Sequence, residues 1–186
     1  MRKTAGPLHF RCLLSAALLI AALLTLASVV WSTLRFHISP MPSSPRARRA
    51  ILSWIPAGTT GEIFELGAGW GSLAIPIARQ CAHAHVVACE GSPVPYLVCC
   101  LRKLLRPAPN LTLRFGDFSG VDLSRASGVV TYLWTGGMAQ LAPKLVRELQ
   151  PGSWVISSTF AWRGREATDE QTLDDIFRTK IYRYVL

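Results

Sequence analysis

Glu62-Ile63-Phe64-Glu65-Leu66-Gly67-Ala68-Gly69-Trp70-Gly71-Ser72 is the stretch on which the reading of this chain turns. Residues 62–66 form a short apolar run, and glycines follow at 67, 69 and 71. Helix-forming residues over 72–81 come next, with Leu73, Ile77 and Ala78 near one face. A strand running through a glycine turn into a helix is expected. Glycine has no Cβ, so the backbone can turn sharply there and come close to a ligand. The next helix points free N–H groups and a positive dipole end at the same place. A dinucleotide loop requires G-x-G-x-x-G/A, but Ser72 occupies the sixth position and Glu65 would repel a pyrophosphate. The phosphate-loop lysine pattern is absent too. An acid immediately before the glycines suits a cationic or amine-bearing ligand. The plainer alternative is a tight turn that binds nothing.

Working outward, the run 85–89 ends in Cys89-Glu90-Gly91-Ser92-Pro93, with Glu90 lying 19 residues after Gly71. An acid at this offset accepts hydrogen bonds from ribose hydroxyls. The run 111–115 ends in Gly116-Asp117-Phe118-Ser119. Asp117 can accept from an exocyclic amine, and Phe118 can cover an adenine face. Alternatively, Asp117 simply closes an Asx turn. Further strands are expected at 128–133, 154–159 and 180–185, and helices from Pro45 through 55, at 94–105 and at 138–149. Strands alternating with helices predict an α/β, mostly parallel sheet whose ligand lies beyond the carboxyl ends of the strands.

Together these residues resemble the class I S-adenosylmethionine-dependent methyltransferases. Glu65-x-Gly67-x-Gly69-x-Gly71 is similar to their first motif, Glu90 to their ribose-binding acid, and Gly116-Asp117-Phe118 to their adenine-side motif. The resemblance implies a Rossmann-like sheet of seven strands with one short antiparallel C-terminal strand. It also implies S-adenosyl-L-methionine as cofactor and methyl transfer to a nucleophile. The runs 41–45, 129–133, 138–149 and 151–160 resemble a narrower branch. This branch comprises the membrane-anchored protein-lysine methyltransferases of the ATP synthase c subunit and adenine nucleotide translocase type, with their bacterial relatives. Two positions depart from that branch: Trp70 inside the glycine loop, and Trp134-Thr135-Gly136-Gly137 in place of a proline-containing turn. Tyr132, Trp134 and Thr135 are the candidates for lining the acceptor pocket. No catalytic acid or base is assigned, because the sulfonium is already activated and positioning supplies most of the rate. Rival functions are a small-molecule or lipid methyltransferase, and an inactive membrane-tethered binding module of the same fold.

Residues 12–34 carry no charge over 23 positions, enough for a helix to cross a bilayer. The stretch is longer than a signal peptide's apolar region and lacks the polar stripe of a core helix. Ser15, Thr25, Ser28, Ser32 and Thr33 are small enough to bond their own helix backbone, while Trp31 and His37 suit an interface. The expected organisation is an anchor over 1–37, a Pro/Ser linker over 38–45 and a methyltransferase domain over 46–186. Of the +9 net charge, residues 1–50 hold +7 with no acid, leaving +2 on the remainder. The basicity therefore brackets the apolar span and points to a membrane surface, with no nucleic-acid partner expected. The flanks are too alike to orient the span. The cytosolic origin of the cofactor places the domain in the cytoplasm. The five cysteines show no C-x-x-C spacing, so neither a disulfide framework nor a metal is expected.

Overall fold

The computed structural model describes residues 7–36 and 43–186. Helix α1 (Pro7–Phe36) is 30 residues long, about 45 Å at the helical rise. Its side chains over 11–27 are exposed. Ser15 Oγ donates to the Cys12 carbonyl at 3.0 Å, and Thr25 Oγ1 to that of Ala21 at 2.8 Å, so these hydroxyls are satisfied within the helix. Linker residues 38–42, His37 and the side chains of Trp31, Ser32 and Thr33 lie outside the described residues.

The remainder alternates as α2 (Pro45–Trp54), β1 (Gly61–Leu66), α3 (Ala74–Gln80), β2 (Ala84–Glu90), α4 (Pro93–Leu105), β3 (Leu111–Phe115), β4 (Ala126–Thr131), α5 (Thr135–Glu148), β5 (Trp154–Ser158), β6 (Asp169–Thr172) and β7 (Lys180–Val185). Ser44 Oγ caps α2 by accepting from the Ala47 N–H at 3.1 Å, with Pro45 in the first turn. Pro76 is tolerated in α3 because it falls in the first turn, where an N–H has no helical partner.

The strands form one seven-stranded sheet ordered β3-β2-β1-β4-β5-β7-β6. β1 to β5 pair in parallel, and β7 runs antiparallel to β5 on one side and to β6 on the other. This is the α/β Rossmann-like sheet expected from the sequence, with its antiparallel strand near the C-terminus. Strands buried on both faces divide their side chains between two cores. Ile63, Val86, Leu111, Ile156 and Ile181 meet Ile51 of α2, Ile55 just past its end and Ile77 of α3 on one face. Phe64, Leu66, Val129 and Val155 meet Met138, Leu141 and Leu145 of α5 on the other.

Several details differ from the sequence reading. β4 ends at Thr131, not Leu133, and α5 starts at Thr135, three residues before Met138. The cause is Trp134, whose ring packs over the next turn: a Cβ on Gly136 would lie 2.1 Å from its Cη2. The glycine pair therefore opens the helix under the indole. β6 was not expected, because Asp-Glu-Gln-Thr has no apolar alternation. It is an edge strand held by ladder bonds to β7 and by the Glu170–Lys180 and Asp169–Arg183 pairs.

Candidate active site

The carboxyl ends of β1 to β5 form one rim, and the end of β2 is its hub. Gly67 and Ala68 N–H groups both donate to the Cys89 carbonyl, at 3.0 and 2.9 Å, and the Gly116 N–H donates to the Glu90 carbonyl at 3.0 Å. The loop after β1 and the turn after β3 are thus pinned to the same two residues. Gly67, Gly69 and Gly71 have φ of 81°, 55° and 70°, a region L side chains rarely adopt. Their reasons for lacking a Cβ differ. At Gly71 a Cβ would lie 2.4 Å from Cys99 Sγ of α4, whereas at Gly69 it would meet no atom within 4 Å. Gly71 is a packing glycine, and Gly69 leaves open space beside the loop.

Glu90 is buried at the end of β2. Its Oε2 accepts from the Gly69 N–H and its Oε1 from the Ser92 N–H, both at 2.6 Å. One carboxylate holds the loop tip and the start of α4 together. Each oxygen has a further lone pair for a hydroxyl donor. Glu65 is 6% exposed, and its Oε2 is buried without a hydrogen-bond partner. Burial, and secondarily the Glu90 charge, pushes its pKa up to about 8. A buried acceptor with nothing to accept from, beside a loop open at Gly69, fits an ammonium-bearing ligand such as the amino-acid end of S-adenosylmethionine. Neighbouring thiols are poor nucleophiles, since burial drives Cys89 to about 11 and Cys99 to about 12.

At the end of β3, Asp117 Oδ1 accepts from the Ser119 N–H at 2.7 Å and caps the single 3₁₀ turn Phe118–Gly120. Phe118 is half-buried against the second core. Phe115 is exposed, with its ring 5.2 Å from that of Tyr96 on α4. Beyond β4, Tyr132 is half-buried and stacks on Phe160 at 6.3 Å between centroids and 22° between planes. Trp134 lies over Gly136, and Thr135 begins α5.

Phe160 was not singled out among the candidates. It follows a backbone feature invisible in the sequence. Thr159 has φ of 71°, and the Phe160 N–H donates to the Ser158 carbonyl at 2.8 Å, closing a γ-turn with positive φ. Ser157 Oγ donates to the Phe160 carbonyl at 2.6 Å, and the Thr159 N–H donates to the Lys180 carbonyl at 2.6 Å. Such a conformation costs on the order of 1–3 kcal/mol and persists only where the surroundings impose it. Here it turns Phe160 onto Tyr132.

The family model described as ANTKMT methyltransferase domain matches residues 65–169. A protein-lysine N-methyltransferase of Saccharolobus islandicus is 26% identical over 160 residues, 81% of this chain and 94% of that protein. An RNA methyltransferase of Salinibacter ruber, solved with S-adenosyl-L-homocysteine, superposes with a TM-score of 0.70 at 25% identity, over 78% of this chain and 93% of that one. The tRNA methyltransferase TrmK of B. subtilis superposes with a TM-score of 0.62 at 16% identity, over 76% and 65%, and shares the fold.

Proposed function

Since this chain belongs to the ANTKMT methyltransferase domain family and is an S-adenosylmethionine-dependent methyltransferase, we propose that it methylates a lysine side chain of a protein at a membrane. When bound, S-adenosylmethionine supplies a methyl group already activated for displacement. The protein's work is therefore to bind, orient and keep water out.

In this reading Gly67, Gly69 and Gly71 let the loop backbone approach the ligand, Glu65 Oε2 receives its ammonium, and Glu90 accepts from the ribose. Asp117 and Phe118 sit on the adenine side. Tyr132 and Phe160, with Trp134 and Thr135 close by in sequence, line the acceptor pocket. An apolar aromatic wall serves a lysine twice. It lowers the amine's pKa, so that the neutral nucleophile is available, and its ring faces attract the methylated ammonium that results. The observation that carries the lysine reading is the stacked Tyr132–Phe160 pair at the strand-four end, in a chain related along most of its length to a protein-lysine N-methyltransferase. The near-neutral charge of residues 51–186 speaks against an RNA acceptor.

α1 would anchor residues 1–37 in the bilayer through the linker 38–45, with the domain 46–186 in the cytoplasm. It is a helix long and apolar enough to cross a membrane, with 0% of its apolar window Arg11–Ser28 buried. The test is transfer of labelled methyl from S-adenosylmethionine in membranes containing the full chain, followed by separation of protein from extracted lipid. Label on lysine in the protein fraction is expected. Label in lipid would move the assignment to a lipid methyltransferase. Binding of S-adenosylhomocysteine without any transfer would indicate an inactive binding module.

A further inference from the structure

Helix α4 is built differently from the other domain helices. α2 exposes Arg46 and Arg49, and α3 exposes Arg79 and Gln80. α4 buries only Pro95 and Cys99 and turns Leu97, Leu101, Leu104 and Leu105 outward, at 64, 54, 76 and 72% exposure. At roughly 100° per residue these four fall within an arc about 100° wide, on the side opposite Cys99. Four leucines left in water on one face are not accounted for by packing inside the domain.

Two further observations indicate what covers them. α1, the helix suited to crossing a bilayer, lies against α4. In addition, residues 91–116 contain Arg102, Lys103, Arg106 and Arg114 but no Asp or Glu. Lys103 and Arg114 hold their positions by donating to the Leu111 and Gly120 carbonyls, while Arg102 and Arg106 are exposed at the side of the stripe and just past the helix end. A leucine face flanked by cations and free of acids is the pattern of a helix lying in the headgroup region of an anionic bilayer.

We infer that the outer face of α4 seats on an anionic membrane surface beside α1, as a second contact that orients the domain. The inference rests on the reading of α1 as an anchor. A lone span would let the domain swing on its linker, whereas a seated α4 fixes the rim. Because α4 begins directly after Ser92, two residues past Glu90, the cofactor end of the sheet is held close to the bilayer. Acceptor lysines would then be those within a short distance of the headgroups.

The experiment uses the full chain in vesicles of phosphatidylcholine and phosphatidylglycerol doped with a diazirine-bearing phospholipid, irradiated and then mapped by peptide mass spectrometry. Lipid adducts are expected on both 11–28 and 97–106. The double variant L101E/L104E should cut adducts on 97–106 at least fivefold while leaving those on 11–28 and S-adenosylhomocysteine binding unchanged, since both leucines lie outside the core and the site. Omitting phosphatidylglycerol should lower the 97–106 yield alone. Adducts on 11–28 only would overturn the docking and leave the anchor standing. Adducts on neither segment would overturn the anchor and the docking with it. Protein–protein crosslinks through 97–106 in place of lipid adducts would assign the stripe to a second copy or another protein and overturn the inference.

Discussion

In the proposed cofactor site, Glu65 is the side chain whose protonation ligand binding would sense most directly. With its pKa near 8 it holds a proton at neutral pH in the free chain. An ammonium arriving beside it favours the ionised form, so binding releases that proton. Affinity for S-adenosylhomocysteine should therefore rise with pH towards 8 and then level off, and calorimetry at pH 7 should show heat that depends on the buffer. Glu65→Gln should abolish both dependences. Stability follows the opposite sign. Between about 4.5 and 8 the folded chain holds more protons than the unfolded one, so the free protein should lose stability as pH rises through that window. Glu65→Gln should flatten this slope in thermal melts. The glycines separate in a similar way. Gly69→Val should lose ligand binding and cost about 1–3 kcal/mol of stability through strain at positive φ alone, since no atom lies within 4 Å of the added Cβ. Gly71→Ala should lower the melting temperature through the 2.4 Å approach to Cys99 Sγ, and Cys99→Ala should restore part of it. The glycine motif was legible in the sequence. Its division into an open and a packing glycine was not, because Cys99 is 28 residues away and reaches Gly71 only once α4 is docked.

Among the elements, α5 shows how the rim is braced. Lys144 Nζ pairs with Glu148 at 2.7 Å, and Glu148 Oε2 accepts from the Leu123 N–H at 3.1 Å, so the helix secures the segment entering β4. Burial raises the Glu148 pKa, but hydrogen bonds from Lys144, Leu123 and Arg147 outweigh it and hold the carboxyl below its usual range. Glu148→Ala strands a largely buried ammonium and a backbone N–H. It should cost about 2–4 kcal/mol in denaturant unfolding. Asp169→Ala, in an ion pair whose side chains are 32% and 43% exposed, should cost under about 1 kcal/mol. Element types were largely readable from periodicity, because buried parallel strands are continuous apolar runs. β6 escaped because its pairing is specified by β7 and not by its own residues. The start of α5 was misplaced because Gly136 and Gly137 read as loop until the Trp134 ring covers them.

For the molecule as a whole, α1 touches the domain at α4 but enters neither of its cores. The side chains of residues 11–27 are exposed and contribute to neither core. Two arginines in the span, Leu19→Arg with Leu23→Arg, should each cost about 2.5–3.5 kcal/mol of insertion. They should shift the protein from the membrane pellet to the supernatant, with domain melting and S-adenosylhomocysteine binding unchanged. Retention in the pellet would mean that something other than α1 suffices for attachment. The amino-acid sequence was enough to specify a sheet of this class, a glycine-rich loop at its first strand end and a 23-residue apolar span. Each of these is written in local composition and spacing, which chain folding does not alter. Three things required the folded chain: the partnerless oxygen of Glu65, the stacking of Phe160 on Tyr132 across a strained γ-turn, and the outward turn of the α4 leucines. Each depends on atoms far apart in sequence, or on which face of a helix the sheet happens to cover. No periodicity read along one segment contains that information.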